Sequence, residues 1–262
     1  MTTTALPPVG RLLRQWRERR NLSQLALAIQ ADISARHLSF VETGRSRPTP
    51  DMIMRLTEQL DVPLRERNQL LLAGGYAPAY AQRGLDDADL VPVRAALSQV
   101  LRGHEPFPAL VVDRWWDLVE ANSALAALTT GCAPELLSAP VNVLRLSLHP
   151  LGLAARIVNL TQWRAHLLGQ LHRRAQHTGD ARLIALEEEL RDYPGGASGT
   201  APERPGVVLP LRLRVADREL ALFSVEAHVG TATDVTVDEL SIETFYPADA
   251  ATAQYLRTQT PP

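Results

Sequence analysis

The sequence contains no lysine and only one cysteine. With Cys132 alone, no intramolecular disulfide and no cysteine-based zinc site can form. Without lysine, all 27 cationic side chains are Arg. Apolar runs of 18 or more residues are missing, and Met1 to Gly10 lacks a charged-then-apolar leader. No membrane span is therefore expected, and a cytoplasmic location is. Gly-rich phosphate loops, the His-Glu-x-x-His pattern and the nucleophile elbow do not occur either. His166, His172 and His177 are spaced six and five residues apart, which spreads them around a helix, so they read as solvated and no metal site is expected. The carboxylates of Glu187-Glu188-Glu189 diverge in the same way and suit a solvated face better than acid/base chemistry. Cys132 sits in Gly-Cys-Ala-Pro and reads as a buried or idle thiol. No catalytic residue is assigned, and a non-enzyme is expected.

What is present is enough apolar content, 45% of 262 residues, to bury real cores. Charge divides the chain. Residues 1–83 hold 12 Arg against 7 acids, a balance of +5, whereas 84–262 hold 15 Arg against 22 acids, −7, and the two sum to the net −2. A positive N-terminal half favours a polyanion through counterion release, and an acidic second half would be repelled by one. The expected organisation is a domain over 1–83, an acidic joint bounded by Gly84 and Pro92 over 84–93, and a second domain over 94–262.

The most informative stretch runs from Ser23 to Thr49. Ser23 and Ser34 are good N-caps, each followed by an amphipathic segment, and Gly44 is a helix stop, so the stretch parses as helix, turn, helix. On a 3.6-residue period Ser34, Leu38 and Val41 share one face of the second helix, while Arg36, Ser39, Phe40 and Thr43 point the other way, with Ala35 and His37 at the margins. A short, mostly polar outer face suits a helix that enters the major groove. Around it, the stripe Val9, Leu12, Leu13, Trp16 and Arg20 predicts a helix over 9–20. Pro50 with Ile53, Leu56 and Leu60 predicts another, and Leu64 to Ala73 a fifth.

Ser23-Gln24, Leu27-Ala28, Ile33-Ser34, Leu38, Glu42-Thr43-Gly44 and Pro48 together resemble the XRE (Cro/lambda-repressor type) helix-turn-helix. Asp32 departs from that pattern, where many members have Gly, but Asp also tolerates left-handed backbone. The expected partner is double-stranded DNA. Gln24, at the start of its helix, is assigned to a phosphate, and Arg36 to a base edge, with a phosphate contact or a surface ion pair as its alternative. Arg45 and Arg47, in the loop with Pro48, are assigned to phosphates. Phe40 is left between a thymine methyl or sugar and packing on a neighbouring helix. Ser34, Ala35, His37, Ser39 and Thr43 complete the proposed contact set.

In the second half, a helix is expected over about 93–102, then strands over 106–112 and 115–121, and a helix near Asn122. The region 141–193 reads as helical, and Tyr193 to Pro202 as a flexible loop by composition. Alternation over Val207 to Val215 and over Ala221 to Val229 predicts a hairpin, with Pro210 at an edge or bulge, before a last strand near 240–246 and a helix from about Pro247. This order is that of a PAS-like α+β domain, an antiparallel sheet with helices over one face. The phrases RHLSFVETGRSRP, LDVPLRERNQLLLAGGYAPAY, PALVVDRWWDLVEAN, PVNVLRLSLHP, GLAARIVNL and FYPADAATA look like those of MmyB-like transcription regulators, from about Val9 to Ala253.

That resemblance implies a DNA-binding regulator whose second domain binds a fatty acid or similar apolar effector, with no other cofactor. Leu144, Leu146, Leu148, Leu153, Ile157 and Trp163 would then line a pocket where helices meet the sheet. Arg145, Arg156, Arg164, His149 and His166 are near enough in sequence to meet a carboxylate, against surface or structural use for each. A homodimer on a palindromic operator is expected. Two alternatives belong to other classes: a DNA-tethered enzyme acting on a lipid-like substrate, and a second domain that only dimerises or recruits a protein partner.

Overall fold

The computed structural model describes residues 8–195 and 207–259. The described residues form two compact units: 8–84 together with 176–178 and 232–238, and the segments 85–175, 179–195, 207–231 and 239–259.

Five consecutive helices open the first unit: α1 (Val9–Arg19), α2 (Gln24–Gln30), α3 (Ala35–Glu42), α4 (Pro50–Gln59) and α5 (Leu64–Ala73). Their boundaries follow the local chemistry read from the sequence. The Ser23 hydroxyl accepts from the Ala26 N–H, Ser34 from His37 and Thr49 from Met52, while Pro50 occupies the first turn of α4. Between α2 and α3 Asp32 adopts φ 52°, the left-handed geometry for which Gly is the usual choice, and Gly44 ends α3 at φ 75°. Leu13, Leu27, Leu38, Ile53, Leu56 and Leu60 have no exposed surface and form the core with Trp16, Val41 and Leu70. Each such burial contributes about 1.5–3 kcal/mol.

Gly10 permits the closest approach in this unit. A β-carbon built there would lie 2.0 Å from the Val41 carbonyl oxygen of α3, so backbone rather than a yielding side chain blocks any larger residue. Gly10→Ala is therefore expected to lower stability by roughly 2–4 kcal/mol despite alanine's better helix propensity. A denaturation midpoint equal to the parent's would show that α1 can slide away at no cost.

The second unit begins with a single 3-10 turn, Ala88–Leu90, which runs directly into α6 (Val91–Gly103). That helix starts two residues ahead of the expected Val93 because Pro92 fits a first helical turn. Then follow β1 (Ala109–Val112), β2 (Leu118–Ala121), α7 (Ala124–Thr129), α8 (Val143–Leu148), α9 (Leu160–Thr178) and α10 (Ala181–Asp192). β3 (Leu211–Val215), β4 (Arg218–His228), β5 (Ser241–Pro247) and α12 (Ala250–Gln259) complete it, and α11 (Val235–Asp238), between β4 and β5 in the chain, belongs to the first unit. The sheet order is β2-β1-β5-β4-β3 with every pairing antiparallel, so the last strand is inserted between the first and fourth. This is the PAS-like α+β arrangement anticipated above.

Further boundaries differ from expectation, beginning with β1, which starts at Ala109 and not at Pro106. β2 starts only at Leu118: Arg114 and Trp115 form a turn and Asp117 makes an isolated bridge to Asn142, since the Asp113 carboxylate accepts from the Trp115 and Asp117 N–H groups and Trp116 adopts φ 61°. β3 starts only at Leu211, because Pro210 has no N–H to donate to a ladder, and Val207 to Leu209 remain exposed. α12 starts at Ala250, three residues past Pro247, which is still in β5. Residues 196–202 of the expected flexible loop lie outside the described residues.

Side-chain alternation determines what covers the sheet. Leu110, Val112, Leu211, Leu213, Leu222 and Phe245 share one core with Leu144, Trp163, Leu167 and Leu171. Ala109, Val111 and Ile242 face the other way and meet Leu97 and Leu101 of α6, so β1 is buried at all four positions. Both margins of the sheet are held by neighbouring segments. The Val158 N–H donates to the Arg212 carbonyl at 2.8 Å, and Asn159 bonds both the Pro210 carbonyl and the Arg212 N–H. Beside β2, the Leu118 N–H donates to the Val141 carbonyl at 2.7 Å, and the Asn142 amide donates to the Trp115 carbonyl at 2.8 Å.

Candidate DNA-binding surface and ligand cavity

The outer face of α3 has the character that its sequence period predicts. Leu38 and Val41 are buried, whereas Arg36, Thr43 and Arg45 are exposed and Ser39 is half-buried. The Arg36 and Arg45 guanidinium carbons lie 5.4 and 5.9 Å from the centre of the same Phe40 ring. Phe40 thus supports two cations on the surface, a use that neither reading of it from sequence anticipated. Ala35 packs against the core. Ser34 is engaged as the N-cap, with the His37 N–H donating to it at 3.1 Å, and Thr43 donates to the Ser39 carbonyl at 2.7 Å.

Two of the proposed contact residues are held by the protein itself. The Gln24 amide donates to Glu42 at 2.8 Å. Arg47 donates from Nε and an Nη to the Gly74 carbonyl, at 3.2 and 2.7 Å, and lies over the Tyr76 ring, whose hydroxyl in turn donates to the Pro48 carbonyl. The loop after α3 is therefore tied to the end of α5.

Glu42 belongs to a buried network that the apolar stripes did not reveal. Arg17 of α1 donates to both Glu42 oxygens at 2.7 and 2.9 Å and to the Leu22 carbonyl at 2.8 Å. The hydrogen bond to Glu42 holds the Arg17 pKa above its usual value despite burial. Three helices converge on one carboxylate, which fixes the pose in which α3 shows Arg36. The stripe Val9, Leu12, Leu13, Trp16 and Arg20 leaves Arg17 off the face expected to be buried, and only the pairing of an inward Arg with an inward Glu within this motif signals the bridge.

In the second unit, an apolar cavity of about 70 Å³ lies between the sheet and α7, α8 and α9. Leu110, Leu211, Glu243 and Phe245 line it from the sheet, Leu125, Leu128 and Thr129 from α7, and Val143, Leu144, Leu146 and Ser147 from α8. Leu153, Trp163 and Leu167 close it, and the Trp163 indole N–H donates to Ser147 at 3.1 Å. Glu243 is the one ionisable group on this wall. Desolvation pushes its carboxyl up to about 7, against a hydrogen bond from Ser224 that acts in the opposite direction. Its surface accessibility is intermediate although protein surrounds it, as befits a group walling a cavity.

Of the pocket residues suggested from sequence, Leu144, Leu146, Leu153 and Trp163 line this cavity, whereas Leu148, Ile157 and the suggested Arg and His side chains do not. Ile157 is buried in the core and bridges to Leu213. Arg145 is paired with Glu189 at 2.6 and 2.7 Å, and Arg164 donates to the Tyr193 and Arg191 carbonyls. The His149 ring accepts from the Leu151 N–H. His166 lies against Trp163 and has its pKa lowered by burial. The two arginines are directed to the chain's own carbonyls and carboxylates, which sequence proximity could not reveal. Glu187 and Glu189, read as a solvated face, are engaged too: Glu187 is buried against His172 and Arg191, and Glu189 also accepts from the Tyr193 hydroxyl at 2.6 Å. Glu243 was missed, although its alternation with Ser241 and Phe245 in β5 marks it as inward-facing.

Among the described residues no group of three or more His, Cys, Asp or Glu side chains is placed to hold a metal ion, and no helix is long and apolar enough to cross a membrane. No curated protein matches the chain. A helix-turn-helix domain model matches residues 8–70, and the model of the MmyB-like transcription regulator ligand binding domain matches residues 93–258. The second match covers well over half of the chain. With a helix-turn-helix ahead of that domain, the chain belongs to the MmyB-like transcription regulators, DNA-binding proteins with a ligand-binding domain.

Proposed function

We propose that α3 enters the major groove of an operator, that Arg36 reads a base there, and that a fatty acid or another molecule with a comparable apolar body occupies the cavity and controls binding. The observation that carries the DNA half is the exposed Arg36 braced on Phe40, on a helix whose opposite face is buried. An Arg bidentate to guanine discriminates by about 1–3 kcal/mol. Arg36→Ala is accordingly expected to lose roughly tenfold or more of the preference for the operator over a variant at one base pair, measured by titration of paired duplexes. Arg45→Ala is expected to weaken all sequences together and to flatten the salt dependence. An unchanged cognate-to-scrambled ratio for Arg36→Ala would remove the base-reading role.

Gln24, Ser34, Ala35, His37, Ser39, Thr43 and Arg47 flank that contact. For Gln24 and Arg47, the bonds to Glu42 and Gly74 favour a supporting role over a direct phosphate contact. Two copies related by a two-fold axis would read half-sites about 10 bp apart, and protection of a single half-site would count against the dimer. A cytoplasmic location follows from this role.

The effector half rests on the apolar lining of the cavity. Occupied ligand sites usually enclose roughly 300–1,000 Å³, so a long-chain effector has to spread the walls around the present 70 Å³. Such spreading supplies the differential affinity between two states without which a ligand shifts no equilibrium. Mass spectrometry of the organic extract of purified protein tests it. A bound molecule recovered unchanged supports sensing, and a converted product would support the enzyme alternative.

A further inference from the structure

We infer that Ser147 is the polar subsite of the ligand cavity, donating its hydroxyl hydrogen to an oxygen of the effector. The effector class is then an apolar chain that carries a carbonyl group, either a carboxylate or a neutral ketone, ester or amide. This rests on the effector reading above and adds the atom that holds the polar end.

Ser147 lies on α8 one turn from Val143 and Leu144, and all three line the cavity. It is only 8% exposed, so bulk solvent does not satisfy its hydroxyl. A hydroxyl has one hydrogen to donate and two lone pairs with which to accept. The Trp163 indole N–H of α9 takes one lone pair, at 3.1 Å. Within a helix the hydrogen can go to the carbonyl one turn back, as Thr43 donates to Ser39 and Thr57 to Met54. Ser147 makes no such bond, and among the described residues nothing accepts its hydrogen. The other polar side chains on the lining already have partners. Thr129 donates to the Ala126 carbonyl at 3.2 Å, and Glu243 accepts from Ser224.

One buried hydroxyl hydrogen thus borders an otherwise apolar space, and a buried donor left without an acceptor is unfavourable. An alkane filling the cavity leaves that hydrogen as it was, whereas a carbonyl oxygen satisfies it. Trp163 contributes by fixing the position of the Ser147 oxygen, so the hydrogen has only rotation about one bond to reach its acceptor. The same bond ties α8 to α9, the two helices that an incoming chain has to part, so the polar end is read where the walls move.

The test uses the full-length protein and three six-carbon probes, hexan-2-one, hexanoate and hexane, titrated by calorimetry. At pH 8 the Glu243 carboxyl, which titrates at about 7, is mainly ionised and does not compete as a donor. Ser147→Ala is expected to weaken hexan-2-one and hexanoate about fivefold and to leave hexane unchanged. The double variant Ser147→Ala with Trp163→Phe strands no indole N–H, and its ratio of hexan-2-one to hexane affinity should fall by the same factor. With carbon-13 at the carbonyl, bound hexan-2-one should show a lower C=O stretching frequency in the parent than in Ser147→Ala, a shift that a serine serving only Trp163 does not produce. Loss confined to hexan-2-one or to hexanoate supports the assignment and selects the neutral or the acidic class. Equal weakening of all three probes, or a carbonyl frequency indifferent to Ser147→Ala, overturns the inference but leaves an apolar effector standing. Saturable binding by none of the three overturns both.

Discussion

Glu42→Ala is expected to destabilise the DNA-binding unit by about 3–5 kcal/mol, because it leaves the Arg17 charge buried with its carboxylate removed. Against the 5–15 kcal/mol typical of whole domains, that is a large fraction, and partial unfolding at 37 °C is the expected phenotype. Urea denaturation followed by far-UV circular dichroism would measure it. The double variant Arg17→Met with Glu42→Leu separates the loss of a partner from the value of the pair, since replacing both charges by apolar groups of similar volume is often neutral or better. If the single variant costs under about 1 kcal/mol, the bridge is not the clamp described here. If the double variant recovers stability but not operator affinity, the network's role lies in posing α3, since Gln24 would then have lost its acceptor as well.

Glu243→Gln is expected to act in the opposite direction, stabilising the protein above neutral pH. The folded carboxyl titrates at about 7, against an ordinary value of 4.5. Below 4.5 both folded and unfolded chains hold the proton and the group contributes no penalty. Between 4.5 and 7 the folded chain retains a proton that the unfolded chain has released, so stability falls as pH rises. Well above 7 the full cost is present, on the order of 3 kcal/mol, and a neutral amide removes it. Thermal unfolding from pH 4 to pH 8.5 should show the parent's melting temperature declining across that window relative to Glu243→Gln. Parallel curves would place the carboxyl in contact with solvent.

Much of the N-terminal unit was legible because local chemistry and tertiary structure agree there. Caps at Ser23, Ser34 and Thr49, the turn at Asp32 and the stop at Gly44 each act within a few residues, and the stripes through Leu38 and Ile53 face one small core. Arg17 and Glu42 escaped because a hydrophobic period cannot distinguish an outward charge from an inward charge whose partner lies 25 residues away. In the second unit the alternation of β4 and β5 was readable, but the partners of the cations were not. Arg145 finds Glu189 across 44 residues, and nothing local to Arg145 selects that carboxylate over an incoming ligand. Trp115 to Asp117 read as strand by composition, and the Asp113 turn that overrides it depends on one side chain bonding two N–H groups.

The segments laid along both margins of the sheet bear on how two copies of this protein can meet. An open β-edge is a template on which a second chain can add a strand, and proteins suppress that hazard by covering it. Here Val158 and Asn159 occupy backbone groups beside β3, while Val141 and Asn142 do the same beside β2. Sheet continuation from one subunit into another would have to strip these bonds first. Variants that loosen Asn159 or Asn142 are therefore the ones in which fibrous self-association should first be sought.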